Sequence, residues 1–339
     1  MSRLQSKRVM QFLFGIAVTA VFVWLVARNV DGAQLMAALG QVRPGWTVLA
    51  VGIFLLGYAC RIARWRRMLL SDNPAVSWKD CVTPFMGSIA ANNLLPFRVG
   101  DLLRVYGLSG HLGVPSSGLL ASVLVERLLD LLSLLVILGI CLLAFDFSGF
   151  AGGPAFQSAR LAVLAAALTV GMLLIFPSSI EFPVRAMARL AGKVWRGSSA
   201  RIENFLDHLF GTLRHHSQGS RMTVLLGWSA LAWGLEWAVF YASAQAIPGL
   251  VEPVGGILAM PVATLATLLP SSPGYVGTFD FFAAQAAQSL GNPAAAATAF
   301  ALLVHLIIWL PATLIGGYGI ALWFLRGRPA ITSERDGIG

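Results

Sequence analysis

The sequence predicts an all-α polytopic membrane protein with six full transmembrane helices and two re-entrant helical hairpins, arranged as two inverted halves. Three observations lead to this fold. The composition is strongly apolar, apolar runs long enough to cross a membrane recur along the chain, and two further runs are each broken by proline at matching positions. We therefore expect a single integral membrane domain over residues 1–339.

The composition is that of a membrane protein. Of 339 residues, 57% are hydrophobic and 12% are charged, whereas about 25% of residues are charged in a typical soluble domain. Six apolar runs approach the ~20 residues that are needed to cross ~30 Å of hydrocarbon. The predicted spans are residues 9–27, 46–69, 117–145, 159–176, 222–247 and 293–325.

The basic residues are distributed unevenly, and their distribution gives the orientation. The net charge is +9, and lysine and arginine collect in segments 3–8, 61–79, 185–221 and 326–335. The loops at 30–41, 146–158 and 248–256 have none. This alternation is the positive-inside pattern, so both termini, including a tail at 326–339, are expected in the cytoplasm. The basic segments then face anionic headgroups, and nucleic acid is not expected as a partner.

Two segments, 78–111 and 253–290, are too interrupted to be simple spans. Leu-Leu-Pro-Phe-Arg-Val-Gly-Asp at 94–101 recurs in looser form as Leu-Leu-Pro-Ser-Ser-Pro-Gly at 268–274. A broken helix frees backbone groups, which hydrocarbon cannot satisfy, so the break must be buried in protein or line a wet cavity. Chance recurrence is the alternative, because Leu-Leu-Pro is a common tripeptide. The predicted structural breaks are Pro96, Gly100, Pro270, Pro273, Gly274 and Gly277.

The breaks and the charge pattern together predict an internal repeat. With both termini inside, the first hairpin enters from the cytoplasm and the second from the opposite side. Each half, 1–145 and 159–325, then contains three crossings and one hairpin. An odd number of crossings turns the second half upside down, as in transporters with inverted repeats and a binding site near the midplane.

The third predicted span carries three ionisable residues. Glu126 and Asp130 are four residues apart, and Arg127 and Asp130 are three apart, so both pairs share a helix face. Such residues cost about 2.5–3.5 kcal/mol each inside a membrane and usually face a cavity or one another. One interpretation is a structural ion pair, and the other is the wall of a binding site. The candidate partners for the second acid are Arg61, Arg64 and Arg98.

Arg98 lies where the first hairpin is interrupted, between Pro96 and Gly100. The helix that restarts there offers unsatisfied N–H groups and the positive end of its dipole. A guanidinium beside such an end is suited to binding phosphate. Asn92 and Asn93 could satisfy freed backbone groups or bind headgroup oxygens. The alternative is that Arg98 reaches the cytoplasmic interface and the asparagines only cap the helix.

The second hairpin offers hydroxyl groups and an acid instead of an arginine. Ser271, Ser272 and Tyr275 are the candidate polar contacts of its break. Thr278 is expected to cap the next helix, and Asp280 lies in its first turn, where an acid suits the dipole. Capping alone would explain Asp280, and a coupling role is the alternative.

Two further ionisable residues lie inside predicted spans. Glu236 has no basic residue near it in sequence, so it could be protonated or face Arg127. A coupling role is therefore considered for Glu236 as well as for Asp280. For His305 a satisfied structural histidine is the better interpretation. The candidate substrate-binding residues are Arg61, Arg64, Asn92, Asn93, Arg98, Glu126, Arg127, Asp130, Ser271, Ser272 and Tyr275.

Enzyme signatures are absent from the sequence. It contains no G-x-x-x-x-G-K-[ST] loop, so ATP hydrolysis is not expected. It has no H-E-x-x-H, C-x-x-C or nucleophile-elbow motif either. We therefore expect no enzyme activity, no cofactor and no metal site.

Four ordered motifs resemble the lysylphosphatidylglycerol synthase transmembrane family. They are Arg61-x-x-Arg64-Trp65, Asn92-Asn93-Leu-Leu-Pro96-x-Arg98-x-Gly100-Asp101-x-x-Arg104, Glu126-Arg127-x-x-Asp130 and Pro270-x-x-Pro273-Gly274-x-x-Gly277. The resemblance implies a bacterial inner-membrane protein that is flippase-like, since the membrane part of the synthases is thought to move aminoacylated lipid between leaflets. Two departures are that no aminoacyl-transferase domain is found here, and that Tyr275 and Asp280 stand where glycine and glutamate are expected.

These observations lead to two functional expectations. The first is translocation of an anionic phospholipid or a polyprenyl-phosphate-linked lipid across the inner membrane, with membrane lipids as partners. The alternative is a membrane accessory or partner of a glycosyltransferase or other lipid-modifying enzyme, without transport. The sequence identifies neither the lipid, the direction of transport nor the oligomeric state. In either case we expect Arg127→Ala to impair folding and Arg98→Ala to impair function.

Overall fold

The computed structural model describes residues 3–28, 30–95, 98–144, 154–194, 199–217, 220–269 and 271–325. Helices account for most of these residues, and no strand occurs among them. The all-α class predicted from the sequence is therefore confirmed for the described part of the chain. The predicted breaks at Pro96 and Pro270 and the tail at 326–339 lie outside the described residues.

The described chain forms thirteen α-helices and two single turns of 3₁₀ helix, at Gly110–Leu112 and Pro273–Tyr275. In chain order the helices are α1 (Arg3–Arg28), α2 (Gly32–Gly40), α3 (Pro44–Leu69), α4 (Trp78–Leu94), α5 (Val99–Tyr106), α6 (Ser116–Ala144), α7 (Pro154–Ile175), α8 (Ser178–Val194), α9 (Ser199–Ser217), α10 (Arg221–Gln245), α11 (Gly255–Ala266), α12 (Thr278–Gln288) and α13 (Ala294–Leu325).

Five helices of the described chain are long and apolar enough to cross a membrane: α3, α6, α7, α10 and α13. They coincide with five of the six predicted spans. The sixth prediction, 9–27, falls within α1, in which only Ala17–Arg28 qualifies, as a shorter apolar helix. The protein is therefore a multi-pass membrane protein, and the count of six full spans stays a prediction.

Each of the two interrupted segments forms a pair of packed helices. In the first, α4 packs against α5, and in the second, α11 packs against α12. We call these pairs the first hairpin and the second hairpin. That they re-enter the membrane from opposite sides stays a prediction, because their packing alone does not define a membrane face.

The chain groups into two compact units. The first unit contains residues 1–61, 127–176 and 222–311, and the second contains 62–126, 177–221 and 312–339. The second hairpin thus belongs to the first unit and the first hairpin to the second unit. This grouping follows packing, whereas the inverted halves 1–145 and 159–325 follow chain order and stay a prediction.

In the first unit, α1 and α10 both pack against the second hairpin. The ring of Phe22 on α1 lies 5.2 Å from that of Phe281 and 5.6 Å from that of Phe282. A Cβ atom at Gly256 would lie 2.7 Å from the carbonyl oxygen of Phe240, so only glycine allows α10 to approach α11 so closely. This packing holds the second hairpin between other helices.

In the second unit, the first hairpin packs against the end of α13. A Cβ atom at Gly316 would lie only 2.1 Å from the carbonyl oxygen of Met86 on α4. Close backbone contact through small residues is the usual way in which helices associate in membranes, because lipid supplies no hydrophobic driving force. The first hairpin is therefore held by a contact that tolerates no larger side chain.

In and beside the basic segment 185–221, α8 and α9 pack against each other. The side chains of Leu206, Phe210 and Leu213 are buried. Within α8, Arg185 lies 2.9 Å from Glu181, and across the pair it lies 2.8 Å from Asp207 on α9. Burial alone would raise the pKa of Glu181, but hydrogen bonds from Arg185 and Arg214 lower the pKa of this carboxyl below its ordinary value.

Candidate functional site

Three of the predicted site residues meet in the first unit, each on a different helix. Arg61 on α3 places Nη1 3.7 Å from Oδ1 of Asp130 on α6 and Nη2 3.5 Å from Oε2 of Glu236 on α10. All three helices are long and apolar enough to cross a membrane. The three side chains are only 11–12% exposed. We call this set the Arg61 cluster.

The Arg61 cluster confirms one sequence prediction and corrects another. Arg61 was a candidate partner of the acids in the third span, and it lies beside Asp130. Glu236 was expected either to be protonated or to face Arg127, and its carboxylate lies beside Arg61. The two residues are 175 positions apart, so their pairing depends on how α3 and α10 pack and could not be deduced from spacing.

Aromatic side chains surround the Arg61 cluster. The indole Nε1 of Trp233 donates a hydrogen bond of 3.0 Å to Oδ1 of Asp130. Cζ of Arg61 lies 4.3 Å from the centre of the Trp233 ring and 5.9 Å from that of Tyr58, both within the range of cation–π attraction. Trp233 therefore supports both members of the ion pair, and sequence reasoning had not singled it out.

The contacts between Arg61 and the two acids are long. Charge-assisted N–H···O bonds are usually about 2.7–2.9 Å long, whereas Arg61 lies 3.5 Å from Glu236 and 3.7 Å from Asp130. Arg127 reaches Asp130 only at 4.0 Å, and its side chain is 34% exposed. A guanidinium shared between two carboxylates at such distances can be displaced by another charged group more easily than a closely paired one.

A second buried ion pair lies in the second unit and has the opposite character. Arg104 of the first hairpin donates to Glu126 through Nη1 (3.2 Å to Oε2) and Nη2 (3.1 Å to Oε1). The exposed fractions of the two side chains are 0% and 3%. Two parallel hydrogen bonds of this kind form the strongest and most specific arginine–carboxylate geometry.

Aromatic rings also enclose this second pair. Cζ of Arg104 lies 5.0 Å from the centre of the Trp65 ring and 4.8 Å from that of Phe85. The Trp65 indole donates 3.0 Å to the Ser122 hydroxyl, which fixes the ring against α6. This enclosed ion pair stabilises the contact between the first hairpin and the first half of α6.

The partner of Glu126 corrects the sequence analysis. Arg61, Arg64 and Arg98 were the candidate partners, and Arg104 holds Glu126 instead. Arg64 is fully buried in α3. Arg104 was visible in the sequence only as the last position of the first-hairpin motif. Its place two turns into the hairpin's second helix was the available signal.

Polar side chains bridge the break in the first hairpin. Asn92 donates 3.0 Å to Asp101 across the break, and Asn93 donates 2.8 Å to Thr313 on α13. A Cβ atom at Gly100 would lie 1.9 Å from the carbonyl oxygen of Ser88, so α5 can begin this close to α4 only with glycine there. Both asparagine contacts join two side chains, so the expected bonds to freed backbone groups and the expected capping of the helix stay predictions. Whether they also bind headgroup oxygens stays a prediction.

Arg98 directly precedes α5 and has an unusual backbone. Its φ of 52° and ψ of 38° lie in the left-handed region, and its side chain makes no capping hydrogen bond. It is partly exposed. Asp101 already places an acid in the first turn of α5, which partly offsets the helix dipole. An anion at this position would therefore depend on the Arg98 guanidinium more than on the helix end.

The break in the second hairpin is a run of left-handed residues. Gly274, Tyr275 and Gly277 have φ values of 74°, 59° and 80°. The Gly277 N–H donates 2.9 Å to Oδ2 of Asp280, so Asp280 caps α12, as one interpretation expected. Thr278 was expected to cap the helix, but the N-cap is Gly277. A positive φ is costly for Tyr275, because left-handed backbone favours glycine.

His305 of α13 links the break to the cap. Its Nδ1 lies 2.8 Å from Oδ1 of Asp280, and its Nε2 lies 2.8 Å from the carbonyl oxygen of Gly274. Both ring nitrogens are thus engaged, as the sequence analysis expected of a satisfied histidine. The exposed fractions of the His305 and Asp280 side chains are 12% and 5%.

The serines of the second hairpin face α1. The Ser272 N–H donates 3.0 Å to the Thr19 hydroxyl, and a Cβ atom at Gly15 would lie 3.1 Å from the Ser271 carbonyl oxygen. Within the described chain, the Ser271 hydroxyl is buried without a hydrogen-bond partner. These two serines therefore belong to the packing of α1 on the break.

An apolar cavity of about 500 Å³ opens beside this break in the first unit. It lies within the ~300–1,000 Å³ range of small-molecule sites, which are mostly apolar with a few polar groups. Its polar lining residues are Asp280 and Thr298. The apolar lining consists of Val23, Val26, Ala27, Val30, Gly32, Leu35, Val276, Gly277 and Leu302.

Comparison with known proteins identifies the family. Residues 12–316 match the family described as the lysylphosphatidylglycerol synthase TM region. The chain belongs to this family. The resemblance inferred from the four motifs is thus confirmed over most of the sequence. The lysylphosphatidylglycerol synthase TM region therefore includes both hairpins, the Arg61 cluster and the Arg104–Glu126 pair.

A curated relative of this lysylphosphatidylglycerol synthase TM region is named Glycosyltransferase AglD, from Haloferax volcanii. The two sequences are 25% identical over 344 aligned positions, which cover 91% of this chain and 53% of the relative. The chain thus spans about half the length of that relative. No solved structure matches the chain.

In the described residues, no group of three or more histidine, cysteine or acidic side chains is arranged to hold a metal ion. The three cysteines, Cys60, Cys81 and Cys141, are buried thiols. The groups that the site offers to a ligand are therefore guanidinium, carboxylate, imidazole and hydroxyl groups.

Proposed function

We propose that this protein is a flippase-like lipid translocase of the bacterial inner membrane, with both termini in the cytoplasm. Its cargo is an anionic phospholipid or a polyprenyl-phosphate-linked lipid. The observation that carries the proposal is the Arg61 cluster, a set of buried opposite charges contributed by three apolar helices, in which Arg61 lies 3.5 and 3.7 Å from two acids. Charges inside a membrane are costly and usually mark a substrate or ion pathway.

The contrast between the two buried ion pairs supports a functional role for the one at Arg61. A purely structural pair gains most from two-pronged contacts, and Arg104 and Glu126 form such contacts. The Arg61 contacts are longer, and Arg61 is shared by two acids. A lipid phosphate can compete for Arg61, while a cationic or hydroxylated head substituent can be accepted by Asp130 or Glu236.

The second element of the proposal is Arg98. Arg98 is a cation at the break of the first hairpin, and arginine binds phosphate through paired hydrogen bonds. In the proposed mechanism Arg98 attracts the phosphate of the lipid towards the first hairpin. The halves of the protein then move relative to each other at the two breaks during alternating access. The sequence has no nucleotide-binding loop, so movement is downhill or coupled to an ion or proton gradient.

Native mass spectrometry of the detergent-purified protein tests the lipid-binding part of the proposal. We expect an anionic or polyprenyl-phosphate lipid to remain bound to the native protein. Arg61→Gln should lower its occupancy, whereas Arg43→Gln, which removes an exposed arginine of the same unit, should not. Retention of zwitterionic lipid alone, equally in both variants, would contradict the proposed cargo.

The alternative is that the chain assists a glycosyltransferase or another lipid-modifying enzyme without transporting lipid. The observation that favours it is the relative named as a glycosyltransferase, of which this chain spans about half. The two proposals differ in one respect that can be measured in purified vesicles. A translocase moves lipid between leaflets on its own, whereas an accessory protein moves none.

A further inference from the structure

The hydrogen bonds of His305 require a proton between this residue and Asp280. The carbonyl oxygen of Gly274 can only accept, so Nε2 of His305 must carry a hydrogen. Nδ1 of a neutral imidazole would then be an acceptor, and it lies 2.8 Å from a carboxylate oxygen that also accepts. Two lone pairs at that distance repel each other. One proton must therefore lie between them, bonded to either Nδ1 or Oδ1.

We propose that the Asp280–His305 pair is a proton-binding site whose occupancy is coupled to lipid movement. The transport part of this inference rests on the proposed function, whereas the proton site itself does not. With its proton the pair is neutral as a unit. On release, the proton passes to water and leaves a carboxylate facing an imidazole lone pair.

Release of the proton changes the second hairpin because the pair is tied to both sides of the break. His305 holds the Gly274 carbonyl, and Asp280 accepts from the Gly277 N–H. The buried carboxylate that remains needs water or a rearranged partner, since an unpaired buried charge is strongly unfavourable. Asp280 lines the cavity of the first unit, through which water or a ligand can reach it.

Few other ionisable groups lie on the elements packed against the pair. Tyr275 belongs to the same break. On α10, Glu236 is engaged by Arg61, and on α1, the Arg28 guanidinium stacks on Trp24. Among the described residues of α11 and α12, Asp280 is the single ionisable side chain. The Asp280–His305 pair is therefore the proton acceptor directly attached to the break.

Asp280→Asn is a sharp test because it imitates the protonated pair. The amide oxygen can still accept from the Gly277 N–H, and the amide NH₂ can donate to Nδ1 of His305. The hairpin should keep its hydrogen bonds but have no proton to exchange. Asp31→Asn is the matched control, since Asp31 caps α2 in the same unit through its side chain and asparagine caps equally well.

The proton site is tested by ¹⁵N NMR of histidine-labelled protein between about pH 5 and pH 10, with His305→Gln used to assign the signal. We expect Nδ1 of His305 to change its protonation or hydrogen bonding across this range in the native protein and in Asp31→Asn. In Asp280→Asn it should remain an unprotonated acceptor throughout. An Nδ1 signal that stays constant in the native protein would overturn the proposal.

The coupling is tested in vesicles of phosphatidylcholine with fluorescent phosphatidylglycerol, under a pH gradient and with the electrical potential clamped. For one proton per lipid, a gradient of about two units supports up to ~100-fold accumulation in one leaflet, since each pH unit is a factor of ten. We expect accumulation with native protein and Asp31→Asn, and even distribution with Asp280→Asn. Lipid movement that does not depend on the pH gradient would contradict the coupling but not the proposed translocation. Absence of all lipid movement would contradict translocation, and the NMR result would still decide the proton site.

Discussion

Arg104 and Glu126 form a two-pronged buried ion pair, with N–O distances of 3.1 and 3.2 Å, between the first hairpin and α6. Trp65 and Phe85 enclose the guanidinium, so water has no access to either charge. Such an arrangement indicates a fixed contact, because both terminal nitrogens of Arg104 and both carboxylate oxygens of Glu126 are paired in this geometry. Its consequences for stability can be measured directly.

Glu126→Gln should destabilise the protein strongly. Removing one member of a buried pair leaves the other charge uncompensated, at a typical cost of about 3–5 kcal/mol. Arg127→Met is the matched control on the next residue, whose side chain is 34% exposed and lies 4.0 Å from Asp130. Exposed pairs contribute about 0.2–1 kcal/mol. The thermal unfolding temperatures of Glu126→Gln and Arg127→Met in detergent compare the two effects.

A double replacement distinguishes a lost ion pair from a general defect. Arg104→Met combined with Glu126→Leu removes both charges, and it should unfold at a higher temperature than Glu126→Gln alone, because apolar replacements of buried pairs are often neutral. Equal destabilisation by Glu126→Gln and Arg127→Met would contradict this account and return the structural role to Arg127.

Much of the fold could be predicted from the sequence because its signals are local. Apolar runs gave five helices of spanning length, and proline with glycine marked both hairpins. The capping role of Asp280 followed from its place in the first turn of α12. These features depend on residues within one or two turns of each other, where hydrophobicity and backbone preference decide the outcome.

The pairing of charges between helices could not be predicted in the same way. Glu236 and Arg61 are 175 positions apart, and Glu126 and Arg104 are 22 apart across a break. Which of several arginines meets a given acid depends on helix packing, and several pairings satisfy the same spacing. The sequence analysis therefore named Arg61, which lies beside Asp130, but did not include Arg104 among the candidate partners of the acids.

Gly316→Ala and Gly317→Ala should have opposite effects on stability, although they are neighbours on α13. A methyl group at Gly316 would meet the Met86 carbonyl oxygen at 2.1 Å, so α13 must move away from the first hairpin. At Gly317 nothing lies within 4 Å. Alanine there should be neutral or stabilising by up to ~1 kcal/mol, as it favours helix. The thermal unfolding temperatures of the two variants test this prediction. Equal unfolding temperatures would contradict the close contact between α13 and the first hairpin.

The α8–α9 pair should loosen at acid pH. The pKa of Glu181 is lowered in the folded protein by Arg185 and Arg214. Its contribution to stability is therefore complete above the ordinary glutamate pKa of about 4.3 and is lost as the pH falls through the lowered value. Hydrogen exchange of α8 and α9 should accelerate in that range. Glu181→Gln should exchange faster at neutral pH and show little further change on acidification.

Cysteine labelling in intact and permeabilised cells tests the inverted arrangement of the hairpins. Asn93→Cys should react from the cytoplasm and Ser272→Cys from the periplasm. The native cysteines are buried, which keeps background labelling low. Labelling of position 272 from the cytoplasm alone, or of position 93 from the periplasm alone, would contradict the inverted repeat.

The central claim is that this protein moves lipid and that Arg98 takes part. Arg98→Asn removes the charge while suiting the left-handed backbone, since asparagine tolerates positive φ well. Arg98→Lys keeps the charge, and Arg67→Asn removes an exposed arginine elsewhere in the second unit. All three variants should unfold near the native temperature, so that differences in transport report on function.

The most direct measurement is the movement of fluorescent phosphatidylglycerol between leaflets of reconstituted vesicles without ATP, followed by dithionite quenching. Native protein and Arg67→Asn should move the lipid at similar rates, Arg98→Lys more slowly, and Arg98→Asn at least about tenfold more slowly, which corresponds to ~1.4 kcal/mol in the barrier. Equal rates for Arg98→Asn and native protein would remove Arg98 from the mechanism. No movement by the native protein of this lipid or of a polyprenyl-phosphate-linked sugar would contradict translocation itself.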